Sequence, residues 1–166
     1  RYCYTIWLRH LSILYKNGFT KIPNTIAELG PGDSIGTGLA GLLSGSKKFY
    51  ALDVVEHTDI KKNISVFDEL VTLFANHSAL PDDNEFPRVL PRLTSYNFPS
   101  EIFTDNNLEN FLDKSRIQSL RNELVDIKKQ KNSIKYMCPW NDPKIIESDS
   151  VDVVFSQAVL EHVEDI

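Results

Sequence analysis

The segment Thr25-Ile26-Ala27-Glu28-Leu29-Gly30-Pro31-Gly32-Asp33-Ser34-Ile35-Gly36 constrains this chain more than any other stretch. A short apolar run carries an acid, meets a Gly-Pro-Gly turn, and passes into a small polar pair that opens a helix. That is the pattern of a strand handing over to a helix. Glycine lets the backbone take positive φ and approach a neighbour closely, which a Cβ hinders. The helix start then offers N–H groups without partners inside the helix. The combination points to a ligand of nucleotide type, against the plainer reading of a turn with no ligand.

Spacing narrows the choice. A dinucleotide fingerprint requires G-x-G-x-x-G. Gly30 and Gly32 supply the first pair, but Ile35 stands at the third position. A second strand is expected over 49–55, from its apolar and aromatic run. Asp53 interrupts that run about twenty residues after Gly32, where an acid can accept hydrogen bonds from ribose hydroxyls. Asp53 also fits a simple strand end. The helix between the strands is expected over 35–44, with Gly45 as its stop.

The chain's last segment, 147–166, runs from an acidic turn through Asp152-Val153-Val154-Phe155 to Ser156-Gln157 and Leu160-Glu161-His162-Val163. It reads as a buried strand over 151–155 with polar groups at its carboxyl end. Ligands of open α/β sheets bind at such ends.

Glu28-x-Gly30-x-Gly32 resembles motif I of the class I S-adenosylmethionine-dependent methyltransferases, with Ser34 where the family's third glycine stands. The 147–166 segment is similar to their motif IV region. The resemblance covers about residues 24–76 and 134–166. It implies an α/β fold with a doubly wound, mainly parallel, Rossmann-like sheet. S-adenosyl-L-methionine is the cofactor it implies, held by Glu28, Gly30, Pro31, Gly32, Asp33 and Ser34 at the first turn. Asp53 and Val54 would hold the ribose. Trp140 would stack on adenine, with Asn141 or Asp142 bonding its amino group. Ser156 and Gln157 would flank the methionine part. The family sheet has strand order 3-2-1-4-5-7-6, and only the first four strands are found here. The resemblance therefore implies a partial domain over 1–166, incomplete at its C-terminus.

The cofactor's sulfonium already activates its methyl group, so such an enzyme mainly aligns the reacting atoms. A general base is needed only where the acceptor must lose a proton. His162 is the only histidine near the expected site, and it can titrate near neutrality. A packed or capping histidine is the competing reading, and Glu161 is no better placed.

Composition bounds the remaining classes. The chain has 166 residues, 42% of them hydrophobic, enough for one ordinary core. A net charge of −5 argues against a binder driven by nucleic-acid phosphates. Residues 1–27 carry Arg1, Arg9, Lys16 and Lys21 without an acid, whereas 142–166 is acid-rich against Lys144. Cys3 and Cys138 are too few for a disulfide framework, and no metal-ligand spacing is visible. No membrane-spanning run is present, Arg9 and His10 break any signal-peptide core, and a cytoplasmic setting is the default.

Elsewhere the pattern is organisational. A helical face is expected over 5–16 within an N-terminal segment, 1–22. A longer helix is expected over 59–76, with Asp59 as cap and Ile60, Ile64, Phe67, Val71 and Phe74 facing the core. The 80–100 stretch holds Pro81, Pro87, Pro91 and Pro99, half of the chain's prolines, and reads as a long loop. Helical periodicity returns over 107–131. Residues 78–131 are expected as an insertion before a third strand at 134–138, either a lid over the substrate or plain scaffold. The functional expectation is methyl transfer to an unidentified small-molecule or sugar-type acceptor, with no oligomeric state readable. The alternatives are a doubly wound NAD(P)-dependent oxidoreductase or nucleotide-sugar enzyme, and a non-catalytic binding module of the methyltransferase fold.

Overall fold

In the computed structural model, residues 1–129, 133–142 and 144–159 are described. The apolar run before Gly30 forms strand β1 (Thr25–Leu29), and the following turn enters helix α2 (Gly36–Leu43), after helix α1 (Tyr2–Lys16). Strand β2 (Lys48–Leu52) leads to helix α3 (Ile60–Ala75). Helices α4 (Asp105–Phe111) and α5 (Lys114–Val125) precede strands β3 (Ile134–Met137) and β4 (Val153–Ser156). The strands make one four-stranded sheet, all parallel, in the order β3-β2-β1-β4. The chain is thus an α/β protein whose sheet is compatible with a Rossmann-like fold.

Strand alternation divides the sheet into two faces. Ile26, Phe49, Ala51, Ile134 and Phe155 point into the main core, which all five helices also enter. Helix α2 sinks deepest. Its Gly38 lies against the Phe49 ring, where a Cβ would sit 2.0 Å from Phe49 Cζ. On the opposite face, Ala27, Tyr50 and Leu52 form a small cluster, covered by Ile146 and Val151 of the connection between β3 and β4. A doubly wound sheet would carry helices on both faces. Among the described residues the helices share one face only.

Several element boundaries differ from the sequence reading, each for a local reason. Strand β2 ends at Leu52 because Asp53 turns the chain and its carboxylate accepts the Val54 N–H at 2.8 Å. Val54 and Val55 therefore leave the sheet and lie exposed. Helix α3 has the expected cap, Asp59 accepting from Lys62 N–H at 3.1 Å. Phe67 and Phe74 are buried and Ile64 and Val71 pack against the core as expected; Asn63, Leu70 and Leu73 join that face, and Ile60 lies at the surface. The 107–131 periodicity is two helices, because Asp113 caps a fresh start by accepting from Ser115 N–H at 2.9 Å. Strand β3 stops at Met137, close to Pro139, which has no N–H to continue a ladder. Strand β4 starts at Val153, since the Asp152 side chain turns back to accept the N–H groups of Asn24 and Thr25, at 2.7 and 2.8 Å.

The two halves of 78–131 go to different places. Helix α5 packs on α3 and approaches β3, away from the carboxyl ends of β1 and β4. The proline-rich half lies along α1, held by Arg9, whose guanidinium is fully buried. Arg9 Nε donates to Thr5 Oγ1 at 3.0 Å. Its Nη1 donates to the Val89 carbonyl at 2.8 Å and to Asp83 at 3.0 Å, and its Nη2 to the Pro81 carbonyl at 3.0 Å. Among the described residues, no helix is long and apolar enough to cross a membrane.

Candidate functional site

The carboxyl ends of β1 and β2 meet at the glycine turn. Gly30 N–H donates to the Leu52 carbonyl at 2.8 Å, so sheet pairing runs one residue past β1. Gly30 and Gly32 both adopt φ of +67°, a conformation that favours glycine. They differ in surroundings. A Cβ on Gly30 would meet the Val159 side chain at 2.5 Å, whereas one on Gly32 would meet nothing within 4 Å. The bare backbone at Gly30 thus admits a protein neighbour, and the open position is Gly32.

Asp53 stands directly against this turn. Its Oδ2 accepts the Gly32 N–H at 3.1 Å. Its backbone is stitched to β3, with its N–H donating to the Met137 carbonyl at 3.0 Å and its carbonyl accepting Trp140 N–H at 3.1 Å. The structure therefore brings Gly32, Asp53 and Trp140 together at the crest of the sheet. Val54 and Asn141 point to the surface there and are exposed.

The start of α2 departs from the expectation of free N–H groups. Asn63, from α3, accepts the Ile35 N–H at 2.9 Å and the Ser34 hydroxyl at 3.2 Å, and donates to Thr58 Oγ1 at 2.9 Å. Ser34 is not the main cap; its hydroxyl accepts only a long bond, 3.3 Å, from Gly36 N–H. Asn63 was missed in the sequence. The available signal was a polar residue spaced with Phe67, Leu70 and Phe74 on a buried face.

Beneath the same helix start lies Glu28, buried at 4% exposure. Burial pushes its carboxyl up to about 8, and the nearby Asp53 adds to the rise; the Gly38 N–H and Thr37 hydroxyl oppose it. Its Oε2 has no hydrogen-bond partner among the described residues. Such an atom in a protein interior calls for an explanation. Glu28 also lines an open cleft of about 370 Å³, together with Gly30, Pro31, Asp33, Ser34 and Gln157 of the expected site. Tyr2, Cys3 and Thr37 line it too and were not anticipated. Burial, followed by the neighbouring Glu28 carboxyl, pushes the Cys3 thiol up.

Charge at the cleft is distributed in one sense. Lys62 is paired with Asp33, and the Arg1 guanidinium with Glu85 at 2.8 Å. The basic groups are thus engaged, while one oxygen of Glu28 is not. Ser156 lies beyond this cleft, its hydroxyl buried and without a partner among the described residues, in an adjoining opening lined also by His10 and Arg92. His162 and Glu161 lie outside the described residues.

No protein-family model matches this chain, and no curated protein or solved structure matches it.

Proposed function

We propose that this protein binds S-adenosyl-L-methionine and serves methyl transfer to a small-molecule acceptor. The observation that carries the reading is the buried Glu28 carboxyl, with an unpartnered oxygen at a cleft whose basic groups are already paired. A phosphate-bearing dinucleotide needs free N–H groups or free cations. Here Asn63 and Ser34 take the Ile35 and Gly36 N–H groups, and an acid lies beneath the helix start. A ligand with cationic groups suits that environment. The sheet order β3-β2-β1-β4 is also the order of the family's first four strands.

When bound, the cofactor supplies a methyl group activated on a sulfonium. The chain's own part is to bind and align. Glu28 would accept from the ammonium of the amino-acid tail, and in doing so would shed the proton that burial lets it keep. Asp53 uses one lone pair on each oxygen for Gly32 and Val54 N–H, so each oxygen retains capacity for a ribose hydroxyl. Open space above Gly32 leaves room for the sugar edge, and Trp140, 39% exposed, is tied by its backbone N–H to the Asp53 carbonyl.

Calorimetric titration with S-adenosylmethionine, S-adenosylhomocysteine and NAD tests the reading. Binding of the first two and silence from NAD is expected, with Asp53→Ala weakening both by about tenfold or more. Heat from NAD alone, or from none of the three, overturns it.

A further inference from the structure

The cleft at Glu28 has a neighbour. A second opening, of about 550 Å³, lies between the proline-rich segment and the exit of β4, and shares Tyr2 and Gln157 with the first. Its volume falls within the range of small-molecule pockets, roughly 300–1,000 Å³. Phe86, Val89 and Leu90 give it an apolar wall, and Leu90 is 61% exposed.

That wall is built rather than draped. Arg9 grips its inner side through the carbonyls of Pro81 and Val89. The segment also closes on itself: Leu80 N–H donates to the Tyr96 carbonyl at 2.7 Å, and the Tyr96 hydroxyl to Asp83 at 2.7 Å. Phe86 packs edge-on against Tyr2 of α1, ring centroids 5.4 Å apart.

Charge identifies the occupant. Glu85 is neutralised by two hydrogen bonds from the Arg1 guanidinium, at 2.9 and 2.8 Å. Arg88 lines the same opening and makes no ion pair or hydrogen bond among the described residues. An apolar wall with one uncompensated guanidinium suits an amphipathic anion, since guanidinium binds carboxylate, sulfonate or phosphate oxygens in a fork.

We propose that this opening is a second binding site, for a small molecule with an apolar body and one anionic group. It rests on the methyl-transfer reading only in its further role: the molecule held there is the acceptor, presented to the cofactor cleft across Tyr2 and Gln157.

Fluorescence titration of the full chain with 1-anilinonaphthalene-8-sulfonate tests the site, with N-phenyl-1-naphthylamine as its uncharged counterpart. One saturable site for the sulfonate is expected. Arg88→Ala should weaken the sulfonate about tenfold and leave the amine unchanged. Leu90→Asp should abolish both, with an unaltered melting curve. Equal sulfonate affinity in Arg88→Ala and the parent chain overturns the site. Sulfonate binding that meets these expectations in a protein that takes no S-adenosylmethionine supports the site and overturns its role as acceptor site. Cofactor binding without sulfonate binding overturns the site alone.

Discussion

Arg9 and Glu28 are both ionisable side chains taken out of water, and the fold treats them in opposite ways. Arg9 is completely buried, and its nitrogens reach a hydroxyl, a carboxylate and backbone carbonyls, with the Tyr96 ring 4.8 Å from its centre. Glu28 is nearly as buried, yet one carboxylate oxygen has no partner among the described residues. A satisfied buried charge organises the chain around it. A half-satisfied one is tolerated when something else completes it. The difference separates a structural centre, which ties the proline-rich segment to α1, from a binding centre at the head of the sheet.

Removing each charge sharpens that contrast. Arg9→Met leaves the Val89 carbonyl without a donor and takes one of two from the Pro81 carbonyl, which Thr5 still reaches, and from Asp83, which Tyr96 still reaches. Loss of roughly 3–5 kcal/mol is expected in urea denaturation, the largest effect of any single change considered. Hydrogen exchange should quicken across 81–96 while 25–53 stays protected; uniform loosening would show that Arg9 is no local staple.

Glu28→Gln works the other way. An acid at about 8 in the folded state, against an ordinary 4.5, holds its proton more tightly folded than unfolded. Its favourable contribution is full below the unfolded value and is lost as pH rises towards 8. The parent chain should therefore lose a few kcal/mol between pH 5 and 9, to the extent of this one group. The variant should lack that slope and melt higher than the parent at pH 9. It should also bind S-adenosylmethionine more weakly, and the parent's affinity should rise over the same pH range. An identical slope in both proteins would mean that Glu28 is ionised in the folded state throughout.

Asn63→Ala comes next. It strands the buried Ile35 N–H, for roughly 1–3 kcal/mol measured by thermal melting, with a looser first turn and weaker cofactor binding. Asp152→Ala is the smallest, about 1 kcal/mol, because the Asn24 and Thr25 N–H groups it releases can turn to water. A larger loss would indicate that the start of β4, not only its pairing with β1, holds the sheet edge.

Much of the frame is legible in the sequence. The first turn, the helix after it and the capped start at Asp59 follow from residues adjacent in sequence. Positive φ at Gly30 and Gly32, and the Asp59 bond to Lys62 N–H, are local requirements. The errors share a cause. Val54 was read into β2 because its apolar character matched the run, but Asp53 capturing the Val54 N–H ended the strand. The face of α3 holds at Ile64, Phe67, Val71 and Phe74 but not at Ile60, and the polar Asn63 joins it because it serves another helix. The 107–131 periodicity is helical as expected, but periodicity alone does not show the break that Asp113 makes by capping α5.

The strand-turn-helix unit at 25–43 is written in neighbouring residues, since backbone conformation and capping depend on side chains within a few positions. What those residues do for one another was decided by packing across distant segments. Asn63 reaches back to Ile35, Arg9 forward to Pro81 and Val89, and Val159 onto Gly30. Whether a buried charge finds partners depends on which remote groups share its low-dielectric surroundings, and periodicity along the chain carries no record of that.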